Sequence, residues 1–252
     1  MRLRWLKLPP SANRSRKLNP YFITGTGTDI GKTWLTCALL QHWRAKGMAT
    51  RAYKPVLSGF TDADAAASDA GALLLAQGIR VDANAIDTIA PWRFAAPLSP
   101  DMAAALEGRA IDFDAVTAFT RRVASTNWQD SHMLIEGVGG VMVPLDDTHT
   151  VRDWIAASDL PCVVVAGSYL GSLSHTLTAL AALIQVGIEV AAIAVNETLP
   201  STVSLTSTIE SLTRHAGGHT IIAIEHENPA PGIAQLAAHL ESRPVYTARQ
   251  LD

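Results

Sequence analysis

Tyr21-Phe22-Ile23-Thr24-Gly25-Thr26-Gly27-Thr28-Asp29-Ile30-Gly31-Lys32-Thr33 runs from an apolar, β-prone stretch through a Gly/Thr turn and into an apolar helix starting near Trp34. Successive backbone amides in such a turn, together with the helix N-terminus, form a concave nest of donors that can hold a triphosphate. Lys32 is placed to reach the β- and γ-phosphates, and the Thr33 hydroxyl to ligate Mg²⁺. The strict pattern G-x-x-x-x-G-K-[ST] is not met, because Thr26 stands where its first glycine belongs and Gly25 lies one residue further back. A dinucleotide fingerprint would need glycine at position 30, where Ile30 stands. Gly-Lys-Thr at a strand-to-helix junction therefore favours triphosphate chemistry.

The pattern on either side of this loop repeats. Short apolar runs at 21–24, 51–53, 132–135, 162–166, 190–195 and 220–224 read as strands. Helix-length segments at 33–45, 69–77, 151–157, 173–185, 202–215 and 233–239 lie between or after them, and many are rich in Ala and Leu. Strands alternating with helices imply right-handed βαβ units, and hence a mostly parallel, doubly wound sheet with helices on both faces. Between 80 and 130 the pattern is weaker: 86–89 reads as a short strand and 113–123 as a helix. No linker or repeat divides the chain, so residues 20–252 are expected to form one α/β domain of the P-loop NTPase type. Ligands in such folds sit beyond the carboxyl ends of the strands.

With 252 residues, 48% hydrophobic and 17% charged, the chain has ample apolar material for a core. Six of its 20 basic residues fall in 1–19, where there is no acid, which leaves 14 basic against 23 acidic residues in the rest. An acidic body argues against general nucleic-acid binding. The basic leader lacks an apolar core of the secretory kind and reads as a disordered extension or an over-called start. The stretch 176–195 carries no Lys or Arg, but Gln185, Gly187 and Glu189 break it into a helix–turn–strand unit, so no membrane span is expected. Cys37 and Cys162, far apart in apolar stretches, fit buried thiols of a reducing, cytoplasmic compartment. The eight histidines form no ligand cluster and no Gly-x-Ser-x-Gly elbow occurs, so zinc and serine-hydrolase chemistry have little support.

Two carboxylates are candidates for the metal. Glu136 ends the run 132–135 and precedes Gly137-Val138-Gly139-Gly140; a carboxylate at the end of a buried strand is costly unless a positive group meets it. Asp69, in Ser68-Asp69-Ala70, is on its residues alone as well explained as a helix-start acid. Lys54, at the end of the second strand, is a second cation for a phosphoryl group or a developing anion, or simply a solvated lysine, with Ser58 as its companion donor.

Together these segments resemble dethiobiotin synthetases, ATP-dependent ring-closing ligases of biotin synthesis. The resemblance runs through Tyr21–Thr26, Gly31-Lys32-Thr33, Tyr53-Lys54-Pro55-Val56, Ser58-Gly59, Ser68-Asp69-Ala70, Phe94-Ala95-Ala96-Pro97-Leu98-Ser99-Pro100, Glu136–Gly140, Val143-Pro144-Leu145, Asp153-Trp154 and Leu170-Gly171. That family also uses the stretched loop. The resemblance implies that CO₂, ATP and 7,8-diaminononanoate give dethiobiotin, ADP and phosphate, by way of a carbamate and its mixed anhydride with phosphate, in a homodimer. It places Thr33, Asp69 and Glu136 on Mg²⁺, Lys32 on the transferring phosphate and Lys54 on the carbamate, with Thr28 and Ser58 as polar contacts. Asp29, Ile30, Gly31, Trp34, Gly137, Val138 and Gly139 would complete the nucleotide site, and Asn196 would read the base. The helix entered through Ser168–Ser174 would meet the substrate carboxylate near a subunit interface, with Tyr169 and Ser174 where the family carries Lys and Asn. The family's later base-binding turn, built around a proline, has no clear counterpart in Ile222-Ala223-Ile224-Glu225. The alternative is a deviant P-loop switch or partitioning ATPase, but those carry a second lysine where Gly27 stands. An amide-forming ligase of the cobyrinate type would need room for a glutaminase domain.

Overall fold

The computed structural model describes residues 20–126 and 131–244; the leader 1–19 lies outside the described residues. The first strand, β1 (Pro20–Gly25), is buried on both faces after its first residue. Its successive side chains hold opposite helical layers, as a pleat requires. The Tyr21 hydroxyl donates to the Leu240 carbonyl (2.9 Å) on one side, and Phe22 meets Trp154 edge-on at 4.8 Å on the other.

The chain continues through α1 (Lys32–Ala45), β2 (Ala49–Tyr53), β3 (Val56–Ser58), a 3₁₀ turn (Asp62–Ala67), α2 (Asp69–Ala76), α3 (Ala83–Ile89), β4 (Trp92–Phe94) and α4 (Pro100–Leu106). It then forms α5 (Phe113–Ser125), β5 (Ser131–Glu136), α6 (Val151–Ser158), β6 (Cys162–Gly167), α7 (Ser172–Gln185), β7 (Val190–Asn196), α8 (Leu205–His215), β8 (Ile221–Ile224) and α9 (Ala230–Ser242). Six strands make one wholly parallel sheet in the order β2-β5-β1-β6-β7-β8, and β3 and β4 make a separate parallel pair. The expected six strands and the doubly wound architecture are present. Strands β5 and β6 are buried at every residue, which is why they read as near-continuous apolar runs. On the outer edge of β2, the Gln77 amide exchanges bonds with the Ala52 backbone (2.9 and 3.3 Å), filling part of a ladder that no strand among the described residues completes.

Two expectations are corrected. Residues 86–89 end the helix α3 rather than forming a strand: the Asp82 carboxylate caps its start, and Ile86 and Ile89, one turn apart, bury the same face. Cys162 is buried, but Cys37 is only half-buried; both thiols are free. The small β3–β4 sheet and α4 were not expected, since three-residue strands leave too short a run for an alternation to register. This added layer stands over the carboxyl edge of the main sheet.

Candidate functional site

The loops that follow β1, β2 and β5 meet around a cavity of about 700 Å³. The turn after β1 is tied to its neighbours at both flanks: Thr26 N donates to Val165 O (3.0 Å), and Gly25 O accepts from Val141 N (3.1 Å). Gly31 opens α1 with φ +91°, in the left-handed region where a side chain is strained, and a Cβ there would fall on the Asn196 amide. Thr28 and Asp29 stand exposed at the cavity mouth, and Trp34, 46% exposed, forms part of its rim.

Lys32 is buried and donates to the Gly27 carbonyl at 2.7 Å. Burial, helped by the nearby charge of Lys54, brings its pKa down to about 8. The Thr33 hydroxyl donates to Glu136 Oε1 at 2.6 Å.

Lys54 is not the solvated lysine that its residues alone allowed. It is 2% exposed, and its ammonium donates to Glu136 Oε1 (2.7 Å) and Gly137 O (2.9 Å) and pairs with Asp69 Oδ2 (3.0 Å). Burial alone would lower its pKa, but the charges and hydrogen bonds of Glu136 and Asp69 prevail and raise it. Asp69 is brought there by the turn before α2, where Ser68 Oγ accepts from Gly71 N (3.1 Å). Its carboxyl feels burial pushing it up, yet Lys54 and the Thr33 hydroxyl hold it below the usual carboxylate range. Gly137 leaves the sheet pressed on Phe22; a Cβ there would lie 2.8 Å from the ring, so only glycine lets its carbonyl reach Lys54.

The structure thus gathers Thr28, Asp29, Gly31, Lys32, Thr33, Trp34, Lys54, Ser58, Asp69, Val138 and Gly139 on one cavity wall or another. Glu136 and Gly137 stand directly behind it through their bonds to Lys54 and Thr33. Ile30 and Asn196 meet on the far flank of the loop, where Asn196 Nδ2 donates to the Ile30 carbonyl at 2.9 Å. Near the start of α7, the Tyr169 hydroxyl and His175 Nδ1 are hydrogen-bonded at 2.8 Å. Reading the residues one by one missed Leu57, the 97–100 segment and Val143 as cavity walls. The motif Phe94–Pro100 signalled that segment but not what it faces.

The model of an AAA domain family matches residues 19–244. An ATP-dependent dethiobiotin synthetase BioD of Acidiphilium cryptum is 52% identical over 201 residues, covering 79% of this chain and 89% of the relative. The chain belongs to the dethiobiotin synthetase family. A second member, ATP-dependent dethiobiotin synthetase BioD of Phenylobacterium zucineum, is 40% identical over 227 residues, 90% of this chain and 97% of its own. Among solved structures, the MinD cell division protein of Aquifex aeolicus superposes with a TM-score of 0.56 at 14% identity, covering 91% of this chain and all of that one. That likeness carries the P-loop fold alone. Residues 21–196, which carry the resemblance to dethiobiotin synthetases in sequence, are also the ones that build the cavity.

Proposed function

We propose that this cavity carries out ATP-dependent dethiobiotin synthesis with the following division of labour. The loop amides and Lys32 hold the β- and γ-phosphates of ATP. Asn196 holds the base on the far flank, with its Oδ1 left as an acceptor. Lys54, flanked by Thr28 and Ser58, receives the carbamate formed from CO₂ and one amine of 7,8-diaminononanoate. The carbamate oxygen takes the γ-phosphoryl group, ADP leaves, and attack by the second amine on the mixed anhydride closes the urea ring and releases phosphate. Phosphoryl transfer of this kind depends on positioning and charge neutralisation rather than on covalent protein chemistry.

Thr33, Asp69 and Glu136 fit a hard divalent cation. They present oxygen donors only, they converge through the Thr33–Glu136 bond and the shared contacts of Lys54, and Glu136 Oε2 is buried without a partner. Mg²⁺ held there would neutralise and orient the phosphates. We also assign catalysis to residues 20–252 and a homodimeric state with the start of α7 near the subunit interface. Among the described residues no helix is long and apolar enough to cross a membrane.

The observation that carries this reading is the buried Lys54, placed on the wall of the same cavity as the phosphate loop and clamped by both metal-binding carboxylates. A switch ATPase has no use for such a cation or for the 97–100 wall. The test is ADP release in the presence of Mg²⁺, which is expected to require both the diamine and bicarbonate. Equal ADP release without the diamine overturns the reading.

A further inference from the structure

The helix α2 reads Asp69-Ala70-Gly71-Ala72-Leu73-Leu74-Leu75-Ala76. Asp69 suits a first turn, and the alanines and leucines favour a helix throughout. Gly71 is the exception, since glycine inside a helix costs about 0.5–1 kcal/mol relative to alanine. Its reason lies in packing. A Cβ on Gly71 would collide with the Ala65 carbonyl oxygen and lie 2.7 Å from that of Ala66, both in the 3₁₀ turn that precedes the helix. Main-chain oxygens cannot rotate away as the end of a long side chain can, so the turn folds back on α2 only because residue 71 has no side chain.

The joint is also bonded. Ser68 Oγ donates to Ala65 O (2.7 Å) and accepts from Gly71 N (3.1 Å), so one hydroxyl ties the end of the turn to the first turn of the helix. At the far end, just ahead of the turn, Phe60 N donates to Phe94 O (3.0 Å) on the small sheet. The start of α2 is thus wedged against a turn that the small sheet anchors. Asp69 stands on that start, with its side chain 42% exposed and its Oδ2 3.0 Å from Lys54 Nζ. Lys54 and Glu136 are buried at the ends of adjacent strands and take their positions from the sheet. Asp69 has no strand beneath it, and where its carboxylate reaches is set by where the start of α2 sits.

We propose that Gly71 is a positioning residue for Asp69: by letting the 62–67 turn close onto α2, it holds the Asp69 carboxylate at the point where Lys54, Glu136 and Thr33 converge. Any side chain at 71 drives turn and helix start apart and draws Asp69 away from that point. This rests on the proposed function, in which Asp69 is one of the Mg²⁺ donors, and adds to it the element that aims the donor.

The test is calorimetric titration of a non-hydrolysable ATP analogue, once with Mg²⁺ and once with EDTA, the ratio of the two affinities giving the Mg²⁺ gain. Gly71→Ala is expected to cut the gain about tenfold, as the loss of a residue supporting a metal ligand does. Its affinity in EDTA should stay at the wild-type value, because Lys32 and the loop amides are untouched. Ser68→Ala, which unties the joint without a clash, should cut the gain about threefold. Gly232→Ala is the matched control: Gly232 is likewise the third residue of its helix, α9, and a Cβ there would collide with the Ala223 carbonyl oxygen, outside the cavity. It should lower the melting temperature as Gly71→Ala does and leave the Mg²⁺ gain unchanged. A wild-type gain in Gly71→Ala overturns the proposal, as does an equal loss of gain in Gly232→Ala, which would trace the effect to general loosening. If Gly71→Ala yields no folded protein, Ser68→Ala decides by the same criterion. A wild-type protein that gains nothing from Mg²⁺ overturns the metal assignment of the proposed function itself, which separates the two failures.

Discussion

Lys54 Nζ lies 2.7 Å from Glu136 Oε1, with the two side chains 3% and 0% exposed. Each would be costly to bury without the other. The lysine comes from the end of β2 and the glutamate from the end of β5, adjacent strands in parallel register, so the sheet itself delivers both charges to one point. Asp69 and Thr33 then reach the same point from two helix starts, which joins the turn after β1 to the cavity wall that carries Lys54.

Removing one partner of such a pair leaves a buried, uncompensated charge. Lys54→Ala should lower stability by about 3 kcal/mol, and turnover should fall much further than nucleotide affinity, since Lys32 and the loop amides remain. Adding Glu136→Gln to Lys54→Ala should restore much of the stability and none of the turnover. Urea unfolding and a coupled ADP assay on the same preparations check this; a stable Lys54→Ala variant with normal turnover would remove the assigned role.

Lys32 gives the site a pH dependence. Its pKa, brought down to about 8 by burial and by Lys54, means that in the ligand-free protein the ammonium begins to lose its proton just above neutrality. Triphosphate binding needs the charged form, so affinity should be full below pH 8 and fall as the pH rises through that value. Lys32→Arg, whose guanidinium keeps its proton throughout, should bind with a flat profile between pH 7 and 9.5. Titrations of a non-hydrolysable ATP analogue across that range decide the matter, and a wild-type profile that stays flat would count against it.

The parts legible in sequence are those where backbone geometry and chemistry coincide. Tyr21–Thr33 announced strand, nest and helix together, and β5 and β6 announced themselves because burial on both faces removes polar residues. Glu136 was legible because a carboxylate ending an apolar strand demands a cation. Lys54 was legible only as one of two readings, cation or solvated lysine, since its burial depends on Asp69 reaching it from 15 residues away and on Gly137 turning its carbonyl inward. The β3–β4 layer and the wall at 97–100 escaped for a similar reason: they are held by pairing between short distant segments, which leaves no local period. Residues 86–89 misled because an isolated β-rich tetrad cannot be told from the end of a capped helix.

Asp153 closes the start of α6, which Val151 N and Arg152 N tie to the Val143 and Val141 carbonyls just past the glycine loop (2.9 and 2.8 Å). Its Oδ2 accepts from Thr150 N (2.8 Å) and Thr150 Oγ1 (2.7 Å) at the start of α6, the helix whose Trp154 packs on Phe22. Burial pushes its carboxyl up, but these bonds, with Arg152 alongside, hold it below the usual carboxylate range. A depressed folded-state value means that the stabilisation is present above the unfolded pKa of about 4 and is lost as the pH falls through the folded value. Asp153→Ala should therefore cost about 1 kcal/mol at neutral pH, and the gap to wild type should narrow in acid. Parallel denaturation curves between pH 3 and 7 measure it; a gap that widens in acid would show that the carboxylate is not the source.

On the proposed function, Asn196 sets which base the nucleotide site accepts. Because its Nδ2 is committed to the Ile30 carbonyl, the amide is fixed in one orientation and Oδ1 is left buried as an acceptor without a partner. An exocyclic amino group satisfies that oxygen, whereas a ring carbonyl placed against it leaves two acceptors facing each other with no proton between them. The protein should accordingly bind ATP and CTP, and bind GTP and UTP about tenfold or more weakly. Asn196→Asp should weaken ATP binding further, because it removes the tether to the loop and sets a carboxylate against the Ile30 carbonyl. Competition of the four nucleotides against one fluorescent ATP analogue reads the ranking directly, and equal affinity for ATP and GTP would mean that the base is held by some other group.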